Sequence, residues 1–230
     1  MNTWINVARY HMIDWANFVA ACWGVLTLAF AVNVAIFAST PGGHGQPHYA
    51  GALVAIYLVI GVLGARLVAQ PLPFALALGL SRRSFYAGTA LLAVGLAAVN
   101  GLILTVLQLI ERGTGGWGIN LHFFRVPYLL AGPWYLTWLT SFAGLTMVFG
   151  WGVWFGLVYR RWNLLGLLAF AGVQVVALTA AIVLIFLAHG WPSVGHFFTT
   201  LTLIGLIGLL AALSVALFTG GYATIRRVTV

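Results

Sequence analysis

Six long apolar stretches, separated by short breaks rich in glycine, proline and polar residues, run along this chain of 230 residues. They fall at about 16–38, 49–69, 85–110, 134–158, 164–188 and 197–219. Each supplies the ~20 residues a helix needs to cross a ~30 Å hydrocarbon core, the third with some tilt. Backbone groups in lipid find no water to bond, so helices are the expected form. The breaks carry turn chemistry: Pro41-Gly42-Gly43-His44-Gly45, Pro71-Leu72-Pro73, Gly113-Thr114-Gly115-Gly116 and Gly190-Trp191-Pro192. The pattern predicts an all-α polytopic membrane protein with six transmembrane helices, one transmembrane domain over 1–230, and no internal repeat.

Residues 1–15 are not apolar enough to span. Asn2, Asn6 and Arg9 recur at helical spacing opposite Trp4, Val7, Ala8 and Met12, which suits an interfacial leader helix lying on the membrane surface. Ala29-Phe30-Ala31 mimics a cleavage site. The apolar run continues past it to Ala38, longer than the ~7–15 residues of a signal core, so a retained span is expected.

Composition agrees with the periodicity. Hydrophobic residues make up 63% of the chain and charged residues 5%, where a soluble domain carries roughly 25% charged. The net charge of +8 comes from ten arginines, with no lysine. If the N-terminus is inside, Arg9, Arg66, Arg82, Arg83, Arg160, Arg161, Arg226 and Arg227 collect on the inner side. Only Arg112 and Arg125 fall outside. This positive-inside bias, with an even number of spans, places both termini in the cytoplasm. The arginines form no soluble basic face, so nucleic acid is not an expected partner. Trp117, Trp134, Tyr135 and Trp138 mark the outer interface, and Tyr159 and Trp162 the inner one. Cys22 is the only cysteine, so no intrachain disulfide can form.

The chain lacks the parts of most catalytic sites. A P-loop needs a lysine to reach the β/γ-phosphates. The only carboxylates are Asp14 and Glu111, expected on opposite sides of the membrane. No Walker site, carboxylate pair or carboxylate metal cage can be assembled, and the chain alone is not expected to be an enzyme. No ionisable side chain lies near the centre of a span, which disfavours an ion-coupled transporter. Asn33, Asn100, Gln108 and Gln174 are expected to bond between helices or to line a path. His44, His48, His122, His189 and His196 fall outside without metal-ligand spacing, so no metal is expected. Ser193 near His189 and His196 is the one candidate for a nucleophile beside a base. Gly152 with Gly156, and Gly205 with Gly208, predict close helix approach. Glu111, His122 and Arg125, within the aromatic outer segment, form a candidate outer gate.

The segment from Gln70 to Tyr86 is the most specific. Two prolines end the second span, and Pro73 suits the start of a short helix running to about Leu78, with Gly79 as its stop. Ser81 or Ser84 would cap the third span. A short apolar helix on the cytoplasmic side needs cover, from lipid headgroups or from a partner's groove.

The run Leu78-Gly79-Leu80-Ser81-Arg82-Arg83-Ser84-Phe85-Tyr86-Ala87-Gly88 resembles a junction of ABC-2-type permeases: Ser-Arg-Arg, an aromatic, then small residues. Trp117-Gly118, Phe123-Phe124-Arg125-Val126-Pro127-Tyr128 and Arg226-Arg227 are similar to actinobacterial permease-like proteins. The resemblance implies the membrane-spanning permease subunit of an ATP-driven exporter in a bacterial inner (plasma) membrane. Two permease chains, identical or paralogous, would pair with two ABC ATPase subunits that hold the ATP and magnesium, leaving no cofactor in this chain. The helix between spans two and three would be the coupling helix, with Pro73, Phe74, Leu76, Ala77 and Leu80 meeting the ATPase. Arg82 and Arg83 would anchor it at membrane lipid. In one respect the chain departs from larger exporters: residues 189–196 are too short for much more than a turn, and the longer external loop lies between spans three and four. A scaffold or assembly protein using the same loop is the alternative.

Overall fold

The computed structural model describes residues 15–39, 48–49, 53–124 and 132–225. The expected leader, Arg9, Asp14, His44, Arg125, Arg226 and Arg227 lie outside the described residues, as do the side chains of Cys22, His48 and Pro73. The helices are α1 Trp15–Ser39, α2 Val54–Ala69, α3 Pro71–Ala77, α4 Arg82–Gly113, α5 Trp134–Leu187, α6 Trp191–Thr200 and α7 Leu203–Ile225. Two short strands, β1 His48–Tyr49 and β2 Leu121–His122, pair in parallel. About nine-tenths of the structure is helical. Among the described residues, four helical stretches are long and apolar enough to cross a membrane: Val54–Ala77, α4, α5 and α7. The described side chains of α1 add a shorter apolar helix, Trp23–Ser39. This is an all-α architecture that fits a multi-pass membrane protein.

The 54-residue α5 covers what the sequence divides into two stretches. It is interrupted only at Asn163 (φ 55°, ψ −155°). The rings of Phe155 and Phe170 lie 5.1 Å apart, whereas a straight helix rising 1.5 Å per residue would separate them by roughly 22 Å. The chain therefore folds back on itself at one residue, and the expected loop between 158 and 164 is absent. Arg161 stacks over the Trp162 ring at 4.6 Å beside this reversal.

The first half of α5 is the centre of the fold. On one side α2 approaches so closely that a Cβ added at Gly152 would collide with the Gly61 carbonyl, and one at Gly156 with the Ala65 carbonyl. On another side Gly150 faces Leu217 and Phe218 of α7. Small residues let backbones meet where lipid offers no hydrophobic driving force for association. The same expectation fails in α7: Gly208 has nothing within 4 Å, and Gly205 meets only Leu201 and Thr202 of its own turn.

Polar side chains share the interior with an apolar core that includes Phe85, Phe149 and Leu157, while many large apolar side chains face outward. Asn100, Thr105, Gln108, Thr137 and Ser141 are buried, while Leu58, Leu165, Val173 and Val176 are exposed. The asparagines bond differently from the expectation. Asn33 and Asn100 each donate to the carbonyl four residues earlier, Ala29 and Leu96, both at 2.8 Å. Several bonds between helices come from aromatic side chains. Tyr86 donates to the Phe218 carbonyl at 2.7 Å, Trp154 to Leu217 at 3.0 Å and Trp138 to Ala98 at 3.2 Å.

Residues 189–196 hold more than a turn: Pro192 sits in the first turn of the ten-residue α6 rather than in a loop. Neither α6 nor α5 beyond Val158 has a buried residue. Arg82 reaches the Ile225 carbonyl at 3.4 Å, so the start of α4 and the end of α7 share one end of the bundle. Arg112 donates to the Gly132 carbonyl at 2.9 Å at the other end.

Candidate functional site

Two places concentrate the residues singled out by the sequence. The first is the end of α4. After Thr114 the backbone turns left-handed at Gly115, Gly116, Trp117, Gly118 and Asn120, with φ between 56° and 76°. Three glycines make such a run tolerable. Thr114 Oγ1 steadies its start, donating to the Ile110 carbonyl at 2.9 Å and accepting from the Trp117 amide at 3.1 Å. The chain is thereby carried back over the helix end.

Glu111 waits beneath it, only 1% exposed. Its Oε2 accepts from the Phe124 amide at 2.8 Å, the Phe123 amide at 2.9 Å and the Trp117 indole at 3.2 Å. His122 Nδ1 stands 3.7 Å from Oε1, an ion pair whenever the imidazole is protonated. A carboxylate in the last turn of a helix faces the negative end of the macrodipole, and its burial is costly unless donors surround it. The folded-back loop supplies those donors as charge-assisted bonds. An aromatic lid seals the clasp: Phe30 of α1 meets Trp117 at 4.9 Å, Phe123 at 5.3 Å and Phe124 at 5.9 Å between ring centroids. The pairing of β1 with β2 brings the backbone of His48 and Tyr49 to the same place.

Of the candidate outer gate, Glu111 and His122 are together and Arg125 is outside the described residues. Arg112 turns to Gly132. No sequence signal named Phe123 and Phe124 as partners of Glu111, because the bonds come from their backbone amides. His189, Ser193 and His196 are all exposed. Among the described residues no group of three His, Cys, Asp or Glu side chains could hold a metal.

The second place is α3. It begins at Pro71, two residues before the expected start, and ends at Ala77. Gly79 (φ +80°) closes it with the paired bonds of a Schellman motif, Leu80 N–H to the Ala75 carbonyl at 3.1 Å and Gly79 N–H to Leu76 at 3.0 Å. Ser81 caps α4, its Oγ accepting from the Ser84 amide at 3.1 Å. Leu72 and Ala75 are buried, which fixes the helix to the bundle. Leu76 and Leu80 are half-buried against that core, and Ala77 is exposed. Phe74 and Leu78 point outward, 50% and 64% exposed. Leu78, expected only as the end of the helix, belongs to the outward face. Arg83 is exposed, while Arg82 spends a donor on Ile225.

No family model, curated protein or solved structure matches this chain. The site therefore rests on its own geometry.

Proposed function

We infer that this chain is the membrane-spanning permease subunit of an ATP-driven ABC-type exporter, coupled through α3 to a separate ATPase that binds ATP and magnesium. In this reading α1, α2, α4, the two halves of α5 and α7 are the six spans, with both termini in the cytoplasm of a bacterial cell. The observation that carries it is α3 itself: a short apolar helix pinned between two spans by Leu72 and Ala75, with Phe74 and Leu78 turned out. An apolar side chain held rigidly in that position has a use in a partner's groove. Leu165, Val173 and Val176 of α5 offer a surface for a second permease chain or for lipid.

Purification in mild detergent tests the reading. A magnesium-dependent ATPase bearing a Walker motif should co-elute in stoichiometric amount, identified by mass spectrometry. Recovery of the chain with no nucleotide-binding protein would sink the exporter and leave a scaffold that binds through the same loop.

A further inference from the structure

Between α2 and the two halves of α5 runs an apolar groove of about 530 Å³, within the ~300–1,000 Å³ of small-molecule sites. Its floor is the small-residue seam of Gly61, Ala65, Gly152 and Gly156. Its walls include Val62, Trp151, Phe155 and Leu167. Val62 is 59% and Trp151 44% exposed, so the groove opens sideways. From Leu58 to Gln70 it follows α2 for roughly 18 Å, at 1.5 Å per residue. Half of a ~30 Å hydrocarbon core is ~15 Å, so the groove spans about one leaflet.

One end is different in chemistry. Arg66, Gln70 and Tyr159 gather there, and every other lining residue named is apolar. Glu111, the one carboxylate among the described residues, lies at the opposite end of the bundle with its own donors. An anion that meets Arg66 at this depth is most readily supplied by the membrane.

We propose that this groove binds one anionic phospholipid, with an acyl chain along Gly61, Ala65 and Gly152 and the phosphate on Arg66. Gln70 and Tyr159 supply further hydrogen-bond donors to the phosphate oxygens. The sideways opening leaves the second acyl chain in the surrounding bilayer, which a free fatty anion would not need. This inference is independent of the exporter reading.

The full chain in detergent is titrated with phosphatidylglycerol, with phosphatidylcholine of the same acyl chains, and with palmitate, and bound species are counted by native mass spectrometry. Phosphatidylglycerol should bind roughly fivefold tighter than phosphatidylcholine, the scale of one arginine at an anionic surface. Arg66→Gln should erase that preference, and Val62→Trp should reduce binding of both lipids, with helicity by circular dichroism unchanged in each. An undiminished preference in Arg66→Gln overturns the proposal, as does undiminished lipid binding in Val62→Trp. Displacement of phosphatidylglycerol by equimolar palmitate would make this a fatty-anion site and overturn it too. So would a lipid-free dimer in which Val62→Cys cross-links to its own copy.

Discussion

The carboxylate of Glu111 and the amide of Phe124 lie 2.8 Å apart across thirteen residues of chain, and that bond ties the loop after α4 to the helix it leaves. The Phe123 amide and the Trp117 indole share the same oxygen. Glu111→Ala would leave three donors without their acceptor. Hydrogen bonds to charged groups are worth about 1.5–3 kcal/mol each and are not additive, so a loss of at least ~3 kcal/mol is expected. Glu111→Gln keeps an acceptor and should lose less. Tryptophan fluorescence during thermal unfolding in detergent reads both; an alanine variant that unfolds with the wild type would refute the clasp.

Close approach of α2 to α5 makes Gly152 intolerant of any side chain. Its Cβ would meet the Gly61 carbonyl, which is backbone and has little freedom to yield. Gly152→Val should cost on the order of 3 kcal/mol, at the upper end for overpacking. Gly172, with nothing within 4 Å, is the control, and Gly172→Ala should be neutral or slightly stabilising. Equal melting temperatures for the two variants would contradict the packing.

The reversal at Asn163 holds a non-glycine residue at φ 55°, ψ −155°, a region almost reserved for glycine. Relief of that strain predicts that Asn163→Gly stabilises the protein by about 1 kcal/mol, and that Asn163→Val destabilises it by more. Thermal denaturation should order the three as Gly, Asn, Val. Any other order would mean that the two halves of α5 are not joined in this conformation.

Tyr86 crosses from α4 to α7 with a 2.7 Å bond to the Phe218 carbonyl. Removing that hydroxyl in Tyr86→Phe should cost about 1 kcal/mol. Tyr135 is half exposed, and Tyr135→Phe should change nothing measurable. Chemical denaturation of the pair separates a bonded hydroxyl from a wet one.

The long apolar stretches told most of the fold, because a run of apolar residues needs no partner to be recognised as a helix. Expected stretches at 16–38 and 85–110 differ from α1 and α4 by one to three residues at each end. The stretch at 197–219 begins inside α6 and is displaced six residues from α7, because the apolar run continues across the break at Leu201 and Thr202. The break expected between 158 and 164 is where the chain reverses, at Asn163, but a turn of one residue has no glycine or proline to announce how tight it is. Gly152 and Gly205 carried the same spacing signal, yet only Gly152 meets another helix, since spacing shows a face and not its neighbour. At the site, Gly79 and Ser81 were legible from local turn and capping chemistry. The Glu111 clasp was legible only in its carboxylate and histidine, because its main donors are backbone amides that any residue possesses.

Phe74 offers the most direct test of α3 as a docking helix. It is half exposed, so Phe74→Glu should leave folding intact. The measurement is magnesium-ATP hydrolysis by the purified complex in proteoliposomes, wild type against Phe74→Glu, with Val99→Gln on the exposed face of α4 as control. An ATPase that co-elutes with the wild type and the control, and is lost from or uncoupled in Phe74→Glu by tenfold or more, is the expected result. An equally bound and equally active ATPase in Phe74→Glu, or no ATPase with any of the three, would contradict the exporter reading.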